Sequence, residues 1–280
     1  MNPKTFNYLA TVLLWLIALS IVALLVWFLT YILGKGLPYL TENLLAGPDG
    51  VGEQLFNSFY ILLLSLLFSF PVGLGTGIYL AEYAPDNRLT DLIRLSTESL
   101  ATVPSIVFGL FGMIIFVNIL GLGFSIIGGA VTLALLNLPI LVRVTEEALR
   151  TVAGSYREAS MALGATMWQT LRKVTLPTAL PGLVTGVTLV AGRALGETAI
   201  LIFTAGMNVS RKPFDTNLTA PGETLAVHLF ALKSNPLPGT NAAQIADGTA
   251  ALLIIMVLFF NLLLVLPSRW LHRRFAGTNK

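Results

Sequence analysis

Arg193 and Glu197 stand in a stretch of 37 residues, between Lys173 and Arg211, that carries no other charge. An arginine in so apolar a run is costly, about 2.5–3.5 kcal/mol at the centre of a membrane helix by insertion scales, so something must compensate it. On a continuous helix Glu197 falls one turn beyond Arg193 and within reach of an ion pair, although Arg before Glu is the less favourable order for the helix dipole. An adjacent face carries Thr185, Thr188, Gly192, Gly196 and Ala199 at helical spacing, which leaves room for another backbone or for water. Two chemistries fit. One is a pair that locks two helices together; the other is an anion site, because a guanidinium offers fixed planar donors that contact two oxygens of an oxyanion at once. On the second reading Arg193, Glu197, Thr188, Gly192 and Gly196 line a polar path, with Arg193 as a transient anion site and Glu197 keeping it from binding too tightly.

The elements that must hold these residues are membrane spans. The chain of 280 residues is 55% hydrophobic with a mean hydropathy of +0.80, whereas a soluble domain of that size uses about 45–50% apolar residues. Charged residues make up 11% and are bunched between long uncharged runs. Crossing the hydrocarbon core takes about 20 apolar residues. The 30 residues between Lys4 and Lys35 form span one, without the small-residue cleavage site of a signal peptide. The 28 between Glu53 and Glu82 form span two, and the 44 between Glu98 and Arg143 form two spans turned at Gly121-Leu122-Gly123. The Arg193 run is the fifth span, and the 21 residues between Asp247 and Arg269 are the sixth. The expected fold is thus an all-α polytopic membrane protein with six transmembrane helices. Glycine and proline are dense in these spans, at Gly73, Gly75, Gly77, Pro104, Gly109, Gly112 and Pro139, which fits either close helix packing or bending around a conduction path.

Lysines and arginines sort by side. Twelve lie at the termini, in the 82–98 connection and in the 143–181 connection, against four (Lys35, Arg211, Lys212, Lys233) on the other side. The positive-inside rule then puts both termini in the cytoplasm and the 208–247 segment outside. The same sorting accounts for a pI near 9.3 without nucleic acid. Cysteine is absent, which removes disulfides and thiolate ligands, and the two histidines, His228 and His272, are too few for a histidine metal site. No cofactor is expected.

Between spans four and five lies Gly154-Ser155-Tyr156-Arg157-Glu158-Ala159-Ser160-Met161-Ala162-Leu163-Gly164, continuing to Val174-Thr175-Leu176-Pro177. It reads as two short helices. Ser155 with Glu158, and Thr166 with Gln169, have capping-box spacing; Gly164 permits a sharp reversal between the helices, and Pro177 stops the second. Such a rigid knuckle suits docking, whereas a merely amphipathic helix lying on lipid does not require the two-part pattern.

Glu158-Ala159-Ser160, Gly164 and Val174-x-Leu176-Pro177 resemble the EAA loop of ABC importer permeases, with Ser160 where Ala is usual and Val174 where Ile is usual. Further strings, Gly77-Ile78-Tyr79-Leu80-Ala81-Glu82-Tyr83, Val103-Pro104-Ser105-Ile106-Val107-Phe108-Gly109-Leu110-Phe111 and Arg193-Ala194-Leu195-Gly196-Glu197-Thr198-Ala199, are similar to PstA-type permeases of phosphate-specific ABC importers. The sister PstC type shares the Arg-x-x-Gly-Glu string. The resemblance covers roughly residues 55 to 270. It implies the type I importer permease fold, with an N-terminal helix and outer loop (1–54), a permease domain (55–270, EAA loop at about 154–177) and a cytoplasmic tail (271–280). It also implies that Arg157, Glu158, Ala159, Ser160, Gly164, Leu176 and Pro177 couple the chain to an ATPase, and that Arg193 and Glu197 serve phosphate passage. The implied partners are inorganic phosphate, a PstC-type permease, two ATPase subunits, a periplasmic phosphate-binding protein and the lipid bilayer of a bacterial inner membrane.

The chain has no Gly-x-x-x-x-Gly-Lys-Ser/Thr loop, so its energy must come from another subunit. It has no serine–histidine or cysteine–histidine constellation in its spans, which argues against an embedded enzyme. An ion-coupled secondary transporter is a weaker alternative, since Glu197 is the one deep carboxylate and no inverted repeat is evident. Another oxyanion, such as sulfate, molybdate or a phosphonate, is the nearer alternative, because an arginine does not name its anion.

Overall fold

The computed structural model describes residues 3–47, 50–210, 212–235 and 241–275; Arg211 and the tail beyond Phe275, with Lys280, lie outside the described residues. Among those described every regular element is helical, as lipid requires of a backbone that must satisfy its own hydrogen bonds. Helix α1 (Pro3–Gly36) leads through a 3-10 turn (Leu37–Tyr39) to α2 (Glu42–Ala46). Helix α3 (Gly52–Ile78) ends in a π-helical turn (Tyr79–Tyr83); α4 (Arg88–Ala101) and α5 (Ser105–Gly112) follow, α5 continuing as a π-helical stretch (Met113–Ile119). Next come α6 (Ile126–Arg150), α7 (Gly154–Ala162), α8 (Met167–Thr170), a third π-helical turn (Leu171–Thr175) and α9 (Leu176–Leu195). Helices α10 (Ala199–Thr204), α11 (Leu225–Ser234) and α12 (Ala242–Phe275) complete the order.

Five of these stretches are long and apolar enough to cross a membrane: 3–39, 52–83, 126–150, 167–195 and 242–266. A sixth crossing is available only as a bent pair, α4 and the Ser105–Ile119 arm, which meet at 92°. The expected third span therefore starts later than the uncharged run that suggested it. Pro104 lacks an N–H and disfavours helical backbone at Val103, so the chain breaks there. Helix α4, with Arg88, Asp91, Arg94 and Glu98, turns across the end of α6, where Arg94 Nε donates to Glu146 Oε1 at 2.8 Å and Arg143 lies 3.7 Å from Glu98. The turn expected at Gly121-Leu122-Gly123 is present, both glycines having φ of +65°.

The centre of the bundle is the parallel pair α3 and α6, with α9 antiparallel beside α6. Small residues set the spacing. A Cβ at Gly77 would stand 2.5 Å from Thr145 Cβ and one at Gly73 2.6 Å from Leu141 Cβ, while Gly182 and Gly186 of α9 face Ala148 and Val144. At these positions close packing explains the glycine density. Ile61, Leu62, Leu133, Leu136, Ile200, Leu201 and Leu225 fill the main core, and Leu149, Leu171, Ala179 and Leu183 a second cluster towards the α7–α8 end. Helix α1 stands apart, with none of its most apolar 18-residue window buried. It meets α12 where Gly36 lies against Asp247 and Ala251.

The free N–H groups that begin α6 are satisfied by the end of α10 and the segment after it. Ser125, Ile126 and Ile127 donate to the carbonyls of Thr204, Ala220 and Leu218, each at 2.9 Å. Buried Glu223 holds that segment to α3, accepting from Gln54 Nε2 at 3.1 Å, with His228 Nδ1 also at 3.1 Å.

Candidate functional site

The run carrying Arg193 is not one helix. Helix α9 ends at Leu195, where Gly196 and Glu197 donate to the carbonyls of Arg193 and Ala194 at 3.2 Å each, and α10 restarts at Ala199. The expected Arg193–Glu197 pair is therefore absent in this conformation, because a helical turn no longer relates the two. Arg193 lies in the last turn of α9, where a cation is favoured by the helix dipole, and it faces out of the chain; no hydrogen bond or ion pair joins its guanidinium to another described residue. Glu197 turns inward, 9% exposed, and its Oε1 accepts from the Ile200 N–H at 3.4 Å.

The break lies at membrane depth. A Cβ on Gly192 would be 3.4 Å from Asn261 Oδ1 of α12. Asn261 follows Asp247 by roughly 20 Å along that helix, well inside a 30 Å hydrocarbon core. The face expected from Thr185 to Ala199 accordingly stops at Leu195. Gly196 is exposed beside Arg193, Thr188 is buried with its hydroxyl donating to Val184 O at 2.7 Å, and Gly192 faces α12. Only Arg193 and Gly196, of the five predicted path residues, lie open at the break. An unpaired guanidinium at this depth can hold an oxyanion or face a water-filled path, and it needs one of these in the assembled protein.

The second site is the knuckle of α7 and α8. Ser155 and Glu158 do not form the expected capping box: α7 starts one residue earlier, at Gly154, so Ser155 is already inside the helix and no side chain caps it. Thr166 and Gln169 do form theirs, with bonds of 3.3 and 2.9 Å. Gly164, at φ +85°, carries the reversal; its N–H donates to Met161 O and that of Ala165 to Ser160 O, the Schellman pattern. The hydroxyls of Ser160 and Thr170 meet at 2.9 Å and tie the two helices together. Pro177 does not stop the second helix. The widened turn at Leu171–Thr175 makes room for its ring, so the helix runs from Met167 to Leu195 and joins the knuckle directly to the Arg193 break.

Glu158, Ala159 and Gly164 lie exposed together on the knuckle, while Leu176 and Pro177 sit at its root, Leu176 packed on the second core cluster. Arg157 turns inward to Glu82. Sequence reasoning missed the apolar tip: Leu163 is 90% exposed, with Tyr156, Met161, Met167 and Trp168 also open around it. Its signal was large apolar side chains beside a left-handed glycine, the composition of a docking anchor. Among the described residues no group of three or more His, Cys, Asp and Glu could hold a metal.

The family profile described as "Binding-protein-dependent transport system inner membrane component" matches residues 73–277. The chain is 43% identical to the probable ABC transporter permease protein YqgI of Bacillus subtilis (strain 168), over 97% of this chain and 96% of that one. It is 35% identical to the phosphate transport system permease protein PstA of Haemophilus influenzae, over 85% of each. Among solved structures it resembles the inward-facing MetNI methionine ABC transporter, with a TM-score of 0.61 and 22% identity over 83% of this chain and 99% of that one. A bacterial ABC transporter that imports alginate matches with a TM-score of 0.62 and 15% identity, over 95% and 96% of the two chains. With a profile match that spans the membrane core and relatives aligned along most of its length, this chain belongs to the binding-protein-dependent inner membrane components, the permease subunits of ABC importers.

Proposed function

We propose that the chain is the PstA-type permease of an ATP-driven importer of inorganic phosphate. One observation carries the reading: Arg193 stands at an intramembrane helix break, facing out of the chain, with no counter-ion among the described residues. A second permease of the PstC type faces this surface, and the two chains enclose the path. Phosphate binds the guanidinium transiently as it passes, weakly enough to leave. Thr188, Gly192, Gly196 and Glu197 shape the wall at that level, Glu197 by holding the start of α10.

Two ATPase subunits sit beneath the permease pair, one of them seated on this chain's knuckle through Leu163 and the exposed residues Glu158 and Ala159, while Arg157, Ser160, Gly164, Leu176 and Pro177 keep the knuckle in shape. ATP binding draws the knuckles together and shifts the permease pair between inward- and outward-open states. A periplasmic phosphate-binding protein delivers substrate to the face bearing the 208–247 segment. The basic end is cytoplasmic, with both termini on that side, and the chain divides into 1–54, 55–270 and 271–280 as described above. Relatives named as phosphate permeases support the choice of anion.

The test is uptake of labelled phosphate by proteoliposomes that hold the whole complex. Arg193→Gln is expected to leave the complex assembled and abolish accumulation; undiminished uptake overturns the reading. Another oxyanion remains the second reading, since YqgI is named for no substrate. Competition by sulfate, molybdate or a phosphonate that matches phosphate itself would favour it.

A further inference from the structure

Glu82 lies in the π-helical turn that ends α3, and only 6% of its side chain is exposed. Arg157 Nε donates to both carboxylate oxygens, at 3.0 and 3.1 Å, and Nη2 donates to Oε1 at 2.7 Å. The same guanidinium reaches the end of α6 and the turn beyond it, Nη2 donating to Leu149 O and Nη1 to Val152 O, each at 2.8 Å. One side chain of α7 thus joins two transmembrane helices from distant parts of the sequence. A planar fork keeps all these bonds only while α7, the end of α3 and the end of α6 hold one relative orientation.

Chain connectivity alone would send a movement of the knuckle into α9, which continues α8 through the Leu171–Thr175 turn. The fork gives α7 a second outlet. We propose that Arg157 and Glu82 form a mechanical link that makes α7, α3 and α6 one rigid body, so that the pull of an ATPase on the knuckle moves the central α3–α6 pair along with α9. This rests on the reading of the knuckle as the ATPase seat. Helix α9 packs on α6 through Gly182 and Gly186, so with the link in place all three helices travel together and the Arg193 break keeps its setting. Without it α9 slides against α6, and the anion site is distorted as the pair reorients. Glu82 acts here as a positioning residue and touches no substrate.

The experiment uses the complete complex in proteoliposomes, with ATP hydrolysis and uptake of labelled phosphate measured on the same preparation. Glu82→Gln is expected to keep the ATPase subunits bound and hydrolysing while phosphate moved per ATP falls about tenfold or more, the size of a typical lost coupling. Unchanged phosphate per ATP overturns the link, as does a joint loss of hydrolysis and bound ATPase, which would make the pair a mere support for the fold of α7. A second measurement leaves the pair intact. The protein has no cysteine, so spin labels can be placed at Ser155→Cys on α7 and Tyr83→Cys on the end of α3. Their separation is expected to be the same in the nucleotide-free and ATP-bound complex; a change between the two overturns the proposal. If the unaltered chain binds no ATPase at all, the reading of the knuckle itself fails, and the link fails with it.

Discussion

At the knuckle end Arg94 donates to Glu146 at 2.8 Å, Arg150 reaches the same carboxylate at 3.0 Å, and Arg157 grips Glu82; at the α9 break Arg193 has no acceptor among the described residues. Both regions are rich in arginine for their surroundings. In the first, Arg94 ties α4 to α6 and Arg157 ties α7 to the ends of α3 and α6, while Arg150 pairs within α6 itself; Arg94, Arg143, Glu146 and Arg150 line a cleft of about 180 Å³ there. In the second the guanidinium joins no other described residue. A charge already satisfied within the fold stabilises it and has little left for a passing anion, whereas an unsatisfied one at membrane depth is held in readiness at a cost.

The comparison breaks most visibly at Arg193. Arg193→Gln should abolish phosphate uptake yet leave the thermal unfolding of the purified permease unchanged, since no internal bond is lost; a fall in unfolding temperature would mean that Arg193 is structural after all. Glu146→Gln should do the reverse. It strips a carboxylate from Arg94 and Arg150 where both Arg94 and Glu146 are largely buried, and should cost on the order of 3 kcal/mol, read from denaturation in detergent.

Gly164→Val tests the knuckle's shape apart from its charges. Its φ of +85° is unfavourable for a side-chain-bearing residue, so the variant should lose about 1–2 kcal/mol locally and co-purify with less ATPase. The smallest effect belongs to the opposite end. The Ser210 hydroxyl and the Asn217 N–H hold the exposed Asp215 carboxyl below the usual carboxylate range. Its contribution is complete above that range and is lost only as pH falls through the depressed value. Hydrogen exchange at the Asn217 amide, taken relative to the intrinsic exchange rate at each pH, should therefore be flat from neutral pH down to the ordinary carboxylate range and rise below it. Asp215→Asn should show the raised exchange at neutral pH, with no change in uptake.

Local signals were legible where a few neighbouring residues settle the conformation. Thr166 and Gln169 cap α8 as their spacing predicts, Gly164 and Gly121 take the left-handed backbone asked of them, and the uncharged runs became helices at nearly every expected place. Signals failed where a neighbour in sequence was assumed to be a neighbour in space. Ser155 matched a capping box but lies inside α7, because the helix began before it. Pro177 looked like a stop, yet a π-helical turn absorbed it. Arg193 and Glu197 fitted one helical face until the helix ended between them. Nothing in the local sequence marks Leu163 as exposed, and only the folded knuckle leaves its side chain 90% open.

The sequence by itself determined that the chain lives in lipid, where five of its crossings run and where the knuckle bends, because hydropathy, capping and the freedom of glycine act over a few residues. The tertiary structure decided which arginines are satisfied. Glu82 and Arg157 are 75 positions apart and Arg94 and Glu146 are 52, so whether a charge is spent inside the fold or left for a ligand depends on contacts that no local pattern records.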